Sequence, residues 1–216
     1  MAILKVKNLN LGFNCECGFR QALFDVSFDL REGEMHALVG ESGCGKSISA
    51  MSILRLLPKT AKITDGEIIY NKENLLTKSQ SYMHKIRGGK IALIPQDPMT
   101  SLNPLYTIGN QLLEVIKIHQ NLRGEDAVKR AIEALETVQI PCAKERMNAY
   151  PHEFSGGMKQ RAIIAMALCC NAEILIADEP TTALDVTIQA QIMKLLKEIQ
   201  KDRKTSILLI THDLAL

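Results

Sequence analysis

The stretch Gly40-Glu41-Ser42-Gly43-Cys44-Gly45-Lys46-Ser47 has the pattern G-x-x-x-x-G-K-S, and its reading decides the fold. A phosphate chain needs several backbone N–H groups aimed at one point. It also needs a cation that reaches the outer phosphates and a hydroxyl able to ligate Mg²⁺. Glycines at 40, 43 and 45 let the backbone, with Glu41, Ser42 and Cys44 between them, curl around an anion without Cβ clashes. Lys46 is the mobile point charge, and Ser47 opens a helix whose positive end faces the ligand.

The flanks fit. Met35-His36-Ala37-Leu38-Val39 is a short apolar run that reads as a buried strand. After the loop, Ile48, Met51, Leu54 and Leu57 recur at helical spacing, and Pro58 ends the pattern. Strand, glycine loop and helix stand in the order a phosphate site requires. The alternative is a glycine-rich turn that fits the pattern by chance, and this context weighs against it.

At 216 residues the chain is one domain, or one domain with an inserted subdomain. A hydrophobic content of 46% supports a substantial core. The net charge of +2 gives no electrostatic case for nucleic acid as the main ligand. The longest apolar run, Ala162 to Cys170, falls far short of the roughly 18 residues of a membrane span. No basic segment precedes a long apolar one at the N-terminus, so the reading is a soluble, cytosolic protein. Cys15 and Cys17 form a C-x-C pair with no second pair at metal-site spacing, which weighs against zinc. Cys169 and Cys170 read as small core residues, whereas Cys44 sits in the phosphate loop, where a thiol's pKa tends to fall.

Along the chain, Ile3 to Leu9 and Phe24 to Leu30 look like strands, the second alternating as a strand with one wet face. Phe13 and Phe19 fall in a loop-like segment between them. Phe13 is a candidate to stack on an adenine ring, with ordinary packing as the alternative. Gly66 to Tyr70 reads as an antiparallel hairpin arm. Ile91 to Ile94 reads as a buried strand ending at Pro95-Gln96. Two amphipathic helices follow, marked by Ile108, Leu112, Val115, Ile116 and by Val128, Ala131, Ile132, Leu135, Val138. Residues 97–160 are therefore expected to form a helical subdomain inserted into an α/β core of residues 1–96 and 161–216. Ile174 to Ala177 is a buried strand ending in Asp178-Glu179. Thr187 to Lys204 is an amphipathic helix, and Ser206 to Ile210 a last strand ending in Thr211-His212-Asp213.

Four apolar runs thus stop at the phosphate loop, at Gln96, at Asp178-Glu179 and at His212. Ligands of parallel α/β sheets bind outside the carboxyl ends of the strands. If these runs are adjacent parallel strands, their ends converge on one phosphate site. Asp178 would then hold Mg²⁺ with Ser47, because Mg²⁺ takes hard oxygen ligands. Glu179 would polarise a water for attack on a γ-phosphate, a reaction catalysed mainly by positioning and charge. Gln96 would sense Mg²⁺ or that water, and His212 would contact the γ-phosphate. A polar turn is the alternative in each case.

Ser155 is a natural N-cap, yet Gly156 and Gly157 weaken the first turn behind it. Bare N–H groups at a helix start bind phosphate well. A second phosphate-binding helix end, far in sequence from the first, suggests nucleotide held between two chains. Glycines kept for close packing are the alternative.

Taken together, the loop at Gly40 to Ser47, Gln96, Ser155-Gly156-Gly157, Ile174 to Glu179, Thr182-Ala183-Leu184-Asp185 and His212 resemble, in content and order, the ABC transporter ATPases. The set spans nearly the whole chain. The segments Gln96 to Pro104 and Asp178 to Thr187 are most similar to the peptide/nickel importer branch. The resemblance implies an α/β P-loop NTPase with a mainly parallel core sheet, an N-terminal antiparallel part and the inserted helical subdomain. It also implies ATP and Mg²⁺, with two ATPase chains, expected to be paralogues, closing head to tail on two nucleotides. Asp185 would lie at the dimer seam, and each chain's Ser155-Gly156-Gly157 would complete the other's site. The helical subdomain near Gln96 would receive a membrane permease, one of two. A binding protein outside the membrane would deliver a di- or oligopeptide, or nickel or another small solute. Phe154 and Met158 stand where the commonest family form has Leu and Gln, so a contact made by that Gln is not carried over. Family members continue past His212, so the stop at Leu216 reads as a fragment. The competing class is a non-transport ABC-type ATPase of DNA repair or translation. The chain has neither the coiled-coil or C-x-x-C insertions nor the second domain of those relatives, and its near-neutral charge argues against a nucleic-acid face.

Overall fold

The computed structural model describes residues 2–16, 18–182 and 184–213, so Cys17 of the C-x-C pair and Ala183 lie outside the described residues. Two four-stranded sheets organise the chain. In the first, β1 (Ala2–Cys15) pairs antiparallel with β2 (Gly18–Arg31) and with β4 (Ala61–Tyr70), which turns back into β5 (Glu73–Asn74). The second is parallel throughout, in the order β3 (Met35–Val39), β8 (Ser206–Thr211), β7 (Ile174–Asp178), β6 (Ile91–Ile94).

The N-terminal strands are longer than hydrophobic alternation suggests, because bulges let the pattern change phase. Asn8 and Asp25 both take left-handed backbone, which Asn and Asp tolerate, and the ladder shifts register between them. Leu9 pairs with Val26, and beyond the bulge Leu11 pairs with Leu23. Leu23 is consequently buried and Phe24, expected inward, is exposed. Gly66 (φ +107°) is needed here, since a Cβ would lie 2.6 Å from the Asn8 carbonyl oxygen. Phe13 and Phe19 are not in a loop: they pair with Arg20 and Asn14 inside the hairpin, and the Phe19 ring covers Gly12.

The parallel sheet is buried on both faces, as continuous Ile/Leu/Ala runs require. One face, with Leu175, Ala177, Ile207 and Leu209, packs against helices α4 (Ile108–Gln120), α5 (Gly124–Thr137), α7 (Gly156–Cys169) and α8 (Val186–Arg203). The other, with Ile174, Ile176, Leu208 and Ile210, meets α1 (Lys46–Leu54), α2 (Gln80–Ile86) and the antiparallel sheet. Short helices α3 (Pro98–Ser101) and α6 (Ala143–Arg146) complete the series. Strand β3 departs from its expected burial. It is an edge strand that pairs with β8 alone among the described residues, leaving Val39 43% exposed. Helix α1 stops at Leu54, before Pro58, because Arg55 takes the left-handed C-cap and donates its N–H to Ser52.

In α4, Ile108, Leu112 and Ile116 are buried as their spacing predicts. In α5 the buried stripe is Ala127, Ala131, Ala134 and Leu135, while Val128 faces outward. Arg161 of α7 is buried and donates to the Val138 carbonyl at 2.6 Å and to Gln191 Oε1 at 2.9 Å. These bonds fix α7 against the end of α5 and against α8. A cluster at Glu173 joins the two sheets: it accepts from Tyr70 of β4 and from Lys90 ahead of β6, each at 2.6 Å.

Candidate functional site

Register brings the polar strand ends together. Val39 of β3 is level with Thr211 of β8, Ile210 with Asp178 of β7, and Ala177 with Ile94 of β6. The next residues on each strand are Gly40, His212, Glu179 and, one past Pro95, Gln96. A parallel sheet puts every carboxyl end on the same edge, so residues over a hundred positions apart become neighbours.

The phosphate loop runs from Gly40 into α1, with Gly43 (φ +83°) and Gly45 (φ +98°) in left-handed backbone. Lys46 is buried, and its Nζ donates to the carbonyls of Gly40 and Glu41, both at 2.7 Å. The ammonium is thereby curled back over the loop that carries it. Cys44 is exposed, with its Sγ 3.8 Å from that ammonium, while Glu41 and Ser42 are exposed on the loop's rim. Ser47 Oγ donates to Asp178 Oδ1 at 2.8 Å, joining α1 to the end of β7. Burial pushes the Asp178 carboxyl above its ordinary value. The Ser47 hydrogen bond opposes this, the neighbouring Glu179 adds to it, and Lys46 opposes it.

Glu179 follows Asp178 with φ +46° and is buried. Its N–H donates to the Ile210 carbonyl at 3.0 Å, extending the β7–β8 ladder by one bond. Its Oε2 accepts from Gln96 Nε2 and from Thr182 Oγ1, both at 2.9 Å, and lies 3.2 Å from His212 Nδ1. His212 is half exposed, in a turn closed by the Asp213 N–H bond to Thr211 Oγ1 at 3.0 Å. Gln96, Glu179 and His212 therefore meet at one oxygen. In the sequence Thr182 stands out only as part of Thr182-Ala183-Leu184-Asp185, with no role of its own at this site. Its signal is the Glu-Pro-Thr-Thr spacing, which puts proline second and a hydroxyl fourth in a turn.

Among the described residues, the remaining candidates make no hydrogen bond to this cluster. Ser155 caps α7, its Oγ accepting from the Met158 N–H at 3.3 Å. Gly157 has a packing reason to be glycine, since a Cβ there would lie 2.8 Å from Ile188 Cγ2; a Cβ at Gly156 would stand 3.6 Å from Leu184. Asp185 is exposed at the N-cap of α8 and makes no side-chain cap bond. Phe13 is half-buried and packs on the core shared with β1 and α1. Leu11, two residues before Phe13, pairs with Leu23, which touches Gly45, so this part of the hairpin runs beside the phosphate loop.

Residues 23–182 match the ABC transporter family. The chain is 52% identical over 213 residues to a probable peptide ABC transporter ATP-binding protein of Sinorhizobium fredii, covering 98% of this chain and 64% of that protein. It is 53% identical to a dipeptide transport ATP-binding protein of Bacillus subtilis, with the same two coverages. For an oligopeptide transport ATP-binding protein of Escherichia coli the identity is 47%, over 99% of this chain and 63% of that protein. The chain thus spans somewhat under two thirds of the length of these relatives. Among solved structures, a dimeric ATP-binding cassette in a post-hydrolysis state with ADP and Pi is similar at a TM-score of 0.86 and 31% identity, covering 98% of this chain and 89% of that one. A component of an ABC transporter complex from Clostridium perfringens gives 0.82 and 30%, covering 98% and 79%. The strand ends, their order and these likenesses agree, and the chain belongs to the ABC transporter family, with the α/β fold of its P-loop ATPase cassettes.

Proposed function

We propose that this chain binds and hydrolyses ATP to power import of di- or oligopeptides across a membrane. The observation that carries the ATPase reading is the meeting of Gln96, Glu179 and His212 at one carboxylate oxygen, beside a phosphate loop tied to Asp178 through Ser47. The peptide reading is supported by the names of relatives about half identical to the chain.

In this reading Lys46 exchanges its loop carbonyls for the outer phosphates of ATP. The backbone N–H groups of residues 40–47 and the α1 N-terminus supply the remaining positive field. Glu179 orients a water and takes its proton as the water oxygen attacks the γ-phosphorus. The bond to the β-phosphate oxygen breaks, releasing ADP and phosphate. Gln96 and His212 hold the carboxylate from the two neighbouring strands. The Ser47 hydroxyl and Asp178 carboxylate, 2.8 Å apart, are a hard-oxygen pair suited to Mg²⁺. When bound, Mg²⁺ neutralises phosphate charge. Phe13 is the proposed adenine contact, favoured by the hairpin's course beside Gly45. Ser155, Gly156, Gly157 and Asp185 are assigned to a seam with a second ATPase chain.

Residues 97–160 are the proposed helical subdomain. Exposed Met99 (62%), Leu105 (80%) and Tyr106 (54%) favour this region as the seat of one of two permease subunits, with a binding protein beyond the membrane. No helix among the described residues is long and apolar enough to cross a membrane, which accords with a peripheral place on its cytoplasmic face. The test is magnesium-dependent ATP turnover by the full-length chain, together with Lys46→Ala. Loss of nucleotide binding or turnover in that variant is expected, and unaltered affinity and turnover would refute the assignment of the loop.

A further inference from the structure

We infer that the Thr182 hydroxyl is a positioning group for the Glu179 carboxylate, a role resting on the catalytic reading of Glu179 above. Three polar atoms converge on Glu179 Oε2, and they are not equivalent. Gln96 and His212 belong to the ends of β6 and β8, elements separate from the one that carries Glu179. Thr182 belongs to the same turn as the carboxylate. Its N–H donates to the Glu179 carbonyl at 3.1 Å, closing a four-residue turn with Pro180 in the second place. Its Oγ1 then reaches Oε2 at 2.9 Å.

The turn is held in a demanding conformation. Glu179 sits at φ +46°, a region an ordinary side chain avoids at a cost of about 1–3 kcal/mol. The carboxylate leaves this backbone in one direction, and the Thr182 hydroxyl fixes its rotation. Gln96 and Thr182 donate to Oε2 and His212 Nδ1 lies 3.2 Å from the same oxygen, which leaves Oε1 as the oxygen to meet a water. A hydroxyl on the same turn keeps that orientation when Gln96 or His212 shift with their own strand ends.

The test compares Thr182→Val, which keeps shape and turn N–H but removes the donor, with Thr182→Ser, which keeps the donor. The full-length chain is assayed with magnesium ATP. Loss of one hydrogen bond to a charged group predicts a fall in kcat of roughly 10–100-fold for Thr182→Val. ATP KM should be unchanged, and Thr182→Ser should recover most of the rate. In a Glu179→Gln background the same substitution should add little, because the two residues act as one unit. Wild-type kcat in Thr182→Val overturns the inference, as does an equal loss in Thr182→Ser. Slow Glu179→Gln with normal Thr182→Val sinks the role of Thr182 alone. Normal turnover in both removes Glu179 from the chemistry, and the inference with it.

Discussion

Gly157 and Ile188 are in direct packing contact: a Cβ on the glycine would lie 2.8 Å from Ile188 Cγ2. The glycine tip of α7 therefore rests on the first turn of α8, and a packing requirement stands beside the proposed phosphate contact. The two can be separated.

Gly157→Ala should destabilise the fold by about 1–3 kcal/mol, the usual cost of overpacking, despite alanine's better helix propensity. Adding Ile188→Ala should recover part of that loss in urea unfolding. Recovery of stability without recovery of ATP turnover would assign the glycine a second role at the nucleotide. Recovery of both would leave packing as its whole purpose.

Glu179→Gln should retain ATP affinity while slowing turnover by about 10²–10⁴-fold, the range for losing a general base. The amide keeps the shape and can still meet Thr182, so the variant should fold normally. Single-turnover hydrolysis measures the effect directly. A rate within a factor of two of wild type would contradict the role.

Cys44 is exposed on the phosphate loop, 3.8 Å from the Lys46 ammonium. A maleimide should alkylate it and abolish nucleotide binding through bulk placed where phosphates bind. ATP should protect, and Cys44→Ser should be resistant. Inactivation that persists at the same rate in Cys44→Ser would point to Cys15 or Cys142, which are also exposed.

Glu173 ties the two sheets through Tyr70 and Lys90. Burial alone would raise its carboxyl, but hydrogen bonds from Lys90, Tyr70 and Asn71 and the Lys90 charge outweigh this and hold it below its ordinary 4.5. A lowered carboxyl contributes stability above pH 4.5 that is lost as pH falls through the folded-state value. The stability gap between wild type and Glu173→Gln should therefore be widest near neutrality and close below pH 4.5. A gap that stays constant down to about pH 3 would show that the carboxylate charge is not what stabilises the joint.

Local signals in the chain determined a good deal. The apolar runs at 91–94, 174–177 and 207–210 are strands because a doubly buried position suits four consecutive Ile, Leu and Ala residues. The glycine loop between a strand and Ser47 was equally legible, since phosphate-binding backbone needs those residues in that order. The three-dimensional arrangement decided what depends on partners. The bulges at Asn8 and Asp25 change the phase of a hairpin whose alternation looked unbroken, so Phe13 lies in a strand and Phe24 in solvent. Strand β3 became an edge because sheet order follows from long-range pairing, which a run of five residues does not encode. The contact of Thr182 with Glu179 depends on the left-handed Glu179 backbone, which brings a hydroxyl three residues on back to the carboxylate. Spacing along a chain records which face a residue takes, whereas the identity of its neighbour across the fold is set by register and by turns, and both are tertiary.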